Sequence, residues 1–413
     1  MPEPLDQARE LLKKGMDPAL LTYAQEKLQP VGTTTMALKI GVPKENGHQE
    51  RRVPLTPGAV GVMVACGHEV YVEHNAGLGA QLSDKDYSDA GAIITYTAAE
   101  LYQRAELIVK IAPLSMAELE LTRPRQTLIS AVHIGGLRPD YLKGLMERNI
   151  TAIGFEFLQG TDGSNPIMRL LSEIAGVSAI HIASELLTNQ HGGKGLLLGG
   201  VTGVPPAVVT IVGAGTVGYH AAKTAIGLGA LVKVLDGEVY RLKRLEDRLG
   251  QKIFTAVTQN DYLQEAVASA DVLIGAAYRA GARSPIVVSE DQVTSMREGS
   301  VVVDISIDQG GCIETSRPTT HEEPTYELNG IIHYCVPNIA SRVARTASAS
   351  ISNILGPMVL NIGEAGGVRN LMAINRTFKK GIYIYHKHIT QRPIATMFNL
   401  DFMDIDLLYA AQM

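Results

Sequence analysis

The residues best suited to chemistry begin with a glycine turn, Gly213-Ala214-Gly215-Thr216-Val217-Gly218. It follows the apolar run VVTIV and precedes YHAAKTAIGLGA, which reads as a helix. A second apolar run, LVKVL, ends at Asp236, roughly 20 residues past the turn. In such a strand–turn–helix unit the first glycine permits the tight turn. The second lets the backbone approach a pyrophosphate, and the third lets helix and strand pack closely. The pyrophosphate would meet the free N–H groups at the helix N-terminus. Asp236 would accept hydrogen bonds from a ribose diol, whereas a 2′-phosphate would face both Asp236 and Glu238, with no arginine before Arg241. The unit therefore predicts a bound NAD in preference to NADP. A turn that served packing alone would leave Asp236 unexplained.

Other residues could act on a small substrate beside that cofactor. Arg51 and Arg52 follow Glu50, and an arginine at a cleft can clamp a carboxylate with two parallel hydrogen bonds; a solvated basic pair is the plainer alternative. Lys110 ends the apolar run ELIVK, where a lysine either reaches a ligand or snorkels from a strand end. His133, near the end of TLISAVHIG, could exchange protons near neutral pH, or be a satisfied half-buried histidine. Asp308 stands beside Gly310-Gly311 after the run SVVVDIS, as a lone acid at a strand end facing the expected cofactor. His386 and His388 read as structural or surface residues. The chain holds no HExxH, GxSxG, P-loop or CxxC pattern, so redox chemistry through a bound dinucleotide is the main enzymatic option.

Elements able to position these residues recur along the chain. Apolar runs at 37–43, 68–74, 92–96, 106–113, 127–135 and 150–157 read as strands with helices between them. A second series runs at 208–212, 231–235, 252–257, 271–277, 300–306 and 331–336. Such βα alternation predicts mostly parallel sheets covered by helices. A long helix over 169–189 separates the two series, and SASISNILGPMVLNI is the clearest helix after 340. The expected fold is α/β: two Rossmann-like domains, with the dinucleotide-binding one (169–339) inserted into a discontinuous substrate domain (37–168 plus 340–413). Residues 1–36 read as a helical extension.

Lys+Arg total 37 and Asp+Glu 42, a net charge of -5, which leaves no basic footprint for nucleic acid. The N-terminus lacks a basic region followed by an apolar core, and no uninterrupted apolar run reaches a membrane span; LLLGGVTGVPPAVVTIVGAG comes nearest. Three cysteines form neither a disulfide framework nor a metal pattern, which suits the cytoplasm.

Longer strings resemble the alanine dehydrogenase family and its relatives, the transhydrogenase alpha subunit and saccharopine dehydrogenase. They are GVPKENGHQERRVPLTP, SAVHIGG, LLSEIAG, HGGKGLLLGGVTGVPPA, VVVDISIDQGGCIETSRPTT and HYCVPNIASRVARTASASISN. The resemblance spans roughly residues 38–400. It implies NAD-dependent, reversible oxidative deamination of L-alanine to pyruvate and ammonia. It implies Arg52 as the carboxylate arginine, His133 as the catalytic histidine and Asp308 as the cleft aspartate. On the cofactor side it implies Ser172, Gly213, Gly215, Gly218, Asp236, Asp308 and Asn338. By family analogy the assembly is a homo-oligomer, a hexamer. Its usual KVKEP reads KIAP here, so Ala112 stands where the substrate lysine falls; takeover of that role by Lys110 is the expectation. The alternatives are a saccharopine-dehydrogenase-like oxidoreductase acting on secondary amines and a nonenzymatic NAD-binding regulatory protein.

Overall fold

The computed structural model describes residues 36–47, 49–160, 162–279 and 283–411. The helices expected over 1–36 lie outside the described residues apart from Met36. Among the described residues two sheets are present. The first holds β1 (Lys39–Val42), β2 (Glu69–Glu73), β3 (Ile93–Thr95), β4 (Leu107–Val109), β5 (Thr127–Ser130) and β6 (Thr151–Gly154), all parallel. The second holds β7 (Val208–Val212), β8 (Leu231–Asp236), β9 (Phe254–Val257), β10 (Val272–Gly275), β11 (Val301–Asp304), β12 (Thr325–Leu328) and β13 (Ile331–Tyr334). The chain then returns to the first sheet with β14 (Ile382–Tyr385) and β15 (His388–Ile389). The strand orders are β15-β14-β6-β5-β4-β1-β2-β3 and β12-β13-β11-β10-β7-β8-β9.

Helices on both faces bury the central strands, which is why runs such as LIV in β4 and VLIG in β10 read as continuously apolar rather than alternating. In each sheet the order reverses beside the first strand, between β1 and β4 and between β7 and β10. Ligands of open α/β sheets bind outside the carboxyl ends of strands at such switch points. The substitutions on this pattern are at the edges. β12 runs antiparallel to β13, and β14 antiparallel to β6.

Six helices matter for the site. Pro57 opens α1 (Pro57–Ala65), but Thr56 makes no side-chain cap; its hydroxyl lies 3.1 Å from Ser352 Oγ instead. α2 (Asp84–Asp89) starts in a Ser83/Asp86 capping box. α3 (Met116–Leu121) begins likewise with Ser115 and Glu118. α4 (Pro166–Leu186) is capped by Asn165, whose side chain accepts from the Met168 N–H. The expected domain boundary at 168/169 thus falls inside a helix. Its first turn puts Ile167 into the core of the first lobe, while Ala175, Ala179 and Ala183 enter the core of the second. α4 is also, among the described residues, the one helix long and apolar enough to cross a membrane by length and composition. The apolar stretch nearest a span is therefore α4 and not the 196–215 segment, whose glycines and prolines break it into a small hairpin and β7. α4 spends its apolar faces on the two cores. α5 (Thr216–Gly227) follows the glycine turn and crosses α4 at Gly176, where a Cβ would come within 2.4 Å of the Val217 carbonyl.

α6 (Ala344–Glu364) carries the second return between lobes. Ser341 just before it, and Ser348 and Ser352 within it, accept from the backbone N–H groups of Arg51, Val53 and Thr56 at 2.9, 2.9 and 3.0 Å. Serines at 341, 348 and 352 recur at a helical period, so one face of this segment satisfies an extended loop that has no strand partner. That loop is the one carrying Arg52.

Candidate active site

The sequence-derived candidates, apart from Ser172 on α4, sit at the carboxyl ends of parallel strands. The loop after β1 carries Arg52, that after β4 carries Lys110, and that after β5 carries His133. In the second lobe the glycine turn follows β7, Asp308 follows β11 and Asn338 follows β13. Arg52 and His133 both lie within electrostatic reach of Asp308 across the cleft. Asp308 has a solvent-open edge, yet protein crowds around it. That crowding raises its carboxyl above the usual Asp range, against the pull of the Asn338 N–H (2.8 Å to Oδ1), His133 and Arg52.

The glycine turn has the shape a dinucleotide needs. Gly213 has φ +116°, and a Cβ there would lie 2.4 Å from the Ala276 carbonyl. A Cβ on Gly218 would lie 1.8 Å from the Gly213 carbonyl, so only glycine lets α5 seat on the turn. A Cβ on Gly215 would meet nothing within 4 Å: the space in front of it is open, where a pyrophosphate would pass. Asp236 is nearly buried and accepts from Ala214 N (2.7 Å) and Glu238 N (2.9 Å), which fixes its carboxylate against the turn. Arg241 pairs with Glu238 at 2.9 Å and approaches Asp236 at 4.0 Å, so this one nearby cation is already matched by two carboxylates. The residues present fit a bound NAD. Ser172 lies on α4 one turn before the Gly176 crossing, half-buried.

His133 adopts a left-handed backbone (φ 49°, ψ 62°), unusual for a residue with a side chain. Glu156, after β6, explains how it is held: its carboxylate accepts from the N–H groups of Val132 and His133 at 2.9 Å each. The imidazole is exposed. Asp304 anchors the next loop in the same manner. It accepts from Ser306, Cys312 and Ile313 N–H at 3.0, 2.9 and 3.1 Å and so shapes the segment bearing Asp308. Burial raises its carboxyl, and these hydrogen bonds work against that rise.

Arg52 is only 5% exposed. Its Nε and Nη2 donate to Glu50 at 2.7 and 2.6 Å, which leaves Nη1 and one Nη2 hydrogen for a ligand. Arg51, by contrast, is exposed.

The expectation that Lys110 takes over a substrate contact finds no support in the geometry. Lys110 is 1% exposed and its ammonium lies 2.6 Å from Glu118 and 3.2 Å from Glu45. Glu45 also accepts from Ile111 N and Ala112 N at 2.6 and 3.3 Å. Two carboxylates thus share one ammonium, and burial pushes the Glu45 carboxyl up to about 7 while Lys110, Ile111 and Lys110's hydrogen bond oppose the rise. The lysine holds the loop after β4, and Ala112 brings no cation to the cleft.

Glu45, Glu50, Glu118, Glu156 and Asp304 were not singled out as site residues from the sequence. Glu50 alone had a local signal, as a carboxylate two residues from Arg52.

Two parallel-sheet lobes meeting at their strand ends, one with a dinucleotide turn and the other with a cationic clamp and an imidazole, define the class of two-lobed dinucleotide-dependent dehydrogenases. Residues 41–176 match the family described as alanine dehydrogenase/PNT, N-terminal domain, and residues 179–392 its C-terminal domain. The alanine dehydrogenase of Methanococcus maripaludis is 43% identical over 364 residues, covering 88% of this chain and 97% of that protein. That of Halomonas elongata is 40% identical over 367 residues, covering 89% and 98%. A solved L-alanine dehydrogenase superposes with a TM-score of 0.82 at 39% identity, over 87% of this chain and 99% of that one. A transhydrogenase from Sinorhizobium meliloti shares the fold, with a TM-score of 0.73 at 24% identity over 86% and 99%. The chain belongs to the alanine dehydrogenase/PNT family.

Proposed function

We propose that this chain is an NAD-dependent alanine dehydrogenase that oxidises L-alanine reversibly to pyruvate and ammonia. The observation that carries the reading is the convergence of Arg52, His133 and Asp308 opposite the glycine turn, each on a different strand end.

NAD, when bound, supplies the hydride acceptor. Gly215 leaves room for its pyrophosphate, and Asp236 for its ribose hydroxyls. The free Nη edge of Arg52 pairs with the alanine carboxylate and holds Cα toward the cofactor side, which is the positional part of the rate. With Lys110 engaged by Glu45 and Glu118, Arg52 is the cation of the clamp and Lys110 a support behind it. Loss of hydride from Cα of the neutral amine gives an iminium. Water adds to that carbon as its proton passes to His133; His133 then returns the proton to the nitrogen, and the carbinolamine expels ammonia as its hydroxyl proton is lost to solvent. His133 is the proton acceptor for the attacking water. Asp308, raised by crowding yet drawn down by His133 and Arg52, balances the charge that His133 gains. General base catalysis of this kind contributes typically 10²–10⁴ in rate.

A homo-oligomer, a hexamer by family likeness, and a cytoplasmic location belong to the same reading; size-exclusion chromatography with light scattering tests the first. The low cysteine count, three in the whole sequence, suits the second. The functional test is a panel of small L-amino acids with NAD, following absorbance of the reduced cofactor. Alanine should lead the panel. His133→Ala should lose at least a hundredfold in turnover while binding NAD as the parent does; unchanged turnover removes His133 from the mechanism.

A further inference from the structure

The substrate clamp and the cleft aspartate are joined by a carboxylate that belongs to neither. Glu50 is almost wholly buried, with 4% of its side chain exposed. Its Oε1 accepts from Arg52 N (2.9 Å) and Arg52 Nε (2.7 Å), and from Ser341 Oγ at 3.4 Å. Its Oε2 accepts from Arg52 Nη2 (2.6 Å) and from Asn338 Nδ2 (2.7 Å). Asn338 in turn gives its backbone N–H to Asp308 (2.8 Å) and sits in the left-handed region at φ 59°. The order is therefore Arg52, Glu50, Asn338, Asp308. Its first two members come from the first lobe, and the last two from the second lobe and the point where the chain leaves it. Ser341, three residues beyond Asn338, and Gln49, whose side chain accepts from His321 N at 2.6 Å, fasten the same junction.

We propose that Glu50 is a positioning residue that turns Arg52 so its Nη edge faces the substrate, with Asn338 holding the second oxygen of Glu50 from the other lobe. Burial alone would favour a neutral carboxyl. The Arg52 charge and the donors on both oxygens overcome it, so Glu50 stays ionised and the guanidinium fork stays locked. Without Glu50, Arg52 would keep its charge but lose its fixed edge, and the tie between clamp and Asp308 would be cut. The inference rests on the dehydrogenase reading for its substrate and on the hydrogen bonds alone for the geometry.

The test compares the full-length parent with Glu50→Gln, which keeps shape but loses charge, and Glu50→Asp, which keeps charge. Glu50→Gln should raise the KM for alanine about tenfold to a hundredfold, the cost of a misplaced binding group. It should change kcat less than about threefold and leave the Kd for NAD within about twofold. Glu50→Asp should recover part of the KM. Equal KM in parent and Glu50→Gln overturns the proposal, as does an NAD affinity that falls in step with KM, which would mark a general loss of fold. A second readout needs no substrate: modification of Arg52 by phenylglyoxal, mapped by mass spectrometry, should be at least fivefold faster in Glu50→Gln. If the parent does not oxidise alanine, the dehydrogenase reading falls, and the Arg52 modification rate still decides the role of Glu50: an unchanged rate overturns it.

Discussion

Replacing Lys110 by methionine separates a substrate lysine from a structural one. Methionine fills a similar volume but leaves Glu45 and Glu118 facing each other without their shared ammonium, in a site where Lys110 is 1% exposed. Removing one partner from a buried ionic group costs about 3–5 kcal/mol. At roughly 2–4 °C per kcal/mol for lobes of this size, the melting temperature should fall by about 6–20 °C. The fall should be larger at pH 8 than at pH 6, because without the Lys110 charge that opposes it burial raises the Glu45 carboxyl further, and the proton it takes up more fully at the lower pH relieves the unpaired charge. Differential scanning calorimetry at both pH values, with steady-state kinetics on the same samples below the transition, makes the measurement. The reasoning is refuted if the melting temperature holds within about 1 °C at both pH values and the KM for alanine rises tenfold or more. That result would return Lys110 to the substrate.

Glu45 itself gives the parent a pH-dependent stability. Its folded-state value of about 7 exceeds the ordinary 4.5, so between these values the folded chain keeps a proton the unfolded chain has lost. Stability from this group is full below about 4.5 and declines as the pH rises to 7, by roughly 3 kcal/mol in all; denaturant titrations of the parent and Glu45→Gln should differ in slope only across that window. Gly215→Ala should fold like the parent and bind NAD at least tenfold more weakly, since its Cβ enters only the open space. Gly218→Ala should lose stability outright, since its Cβ would overlap the Gly213 carbonyl; thermal melts and calorimetric titration distinguish the two. Asp236→Ser, which removes the charge but keeps an acceptor for the Ala214 N–H, should raise affinity for NADP relative to NAD at least tenfold by titration with each cofactor.

What was legible in the sequence is what is local. The glycine turn and Asp236 announce themselves within one strand–turn–helix–strand unit, because each is tied to a local backbone geometry. The parallel strands were legible because burial on both faces makes them uniformly apolar. β14 and β15 were not. Ile382–Tyr385 is apolar, but its place beside β6 depends on a return across more than two hundred residues. Lys110 looked like a ligand for the same reason. Glu45 and Glu118 lie 65 and 8 residues away along the chain, and only the fold makes them its partners. Arg52 was legible by type and place; the edge it presents was not, because Glu50 and Asn338 set it from two lobes.

The unbroken α4 has a mechanical consequence. A helix rooted in the first core at Ile167 and in the second from Ala175 onward resists bending, since a kink would break its own backbone bonds. The two halves of the molecule cannot simply part like jaws. A change of angle between them that kept this helix whole would be a turn about it, as a door turns on its pin, with the longest arc swept by the loops farthest from the pin.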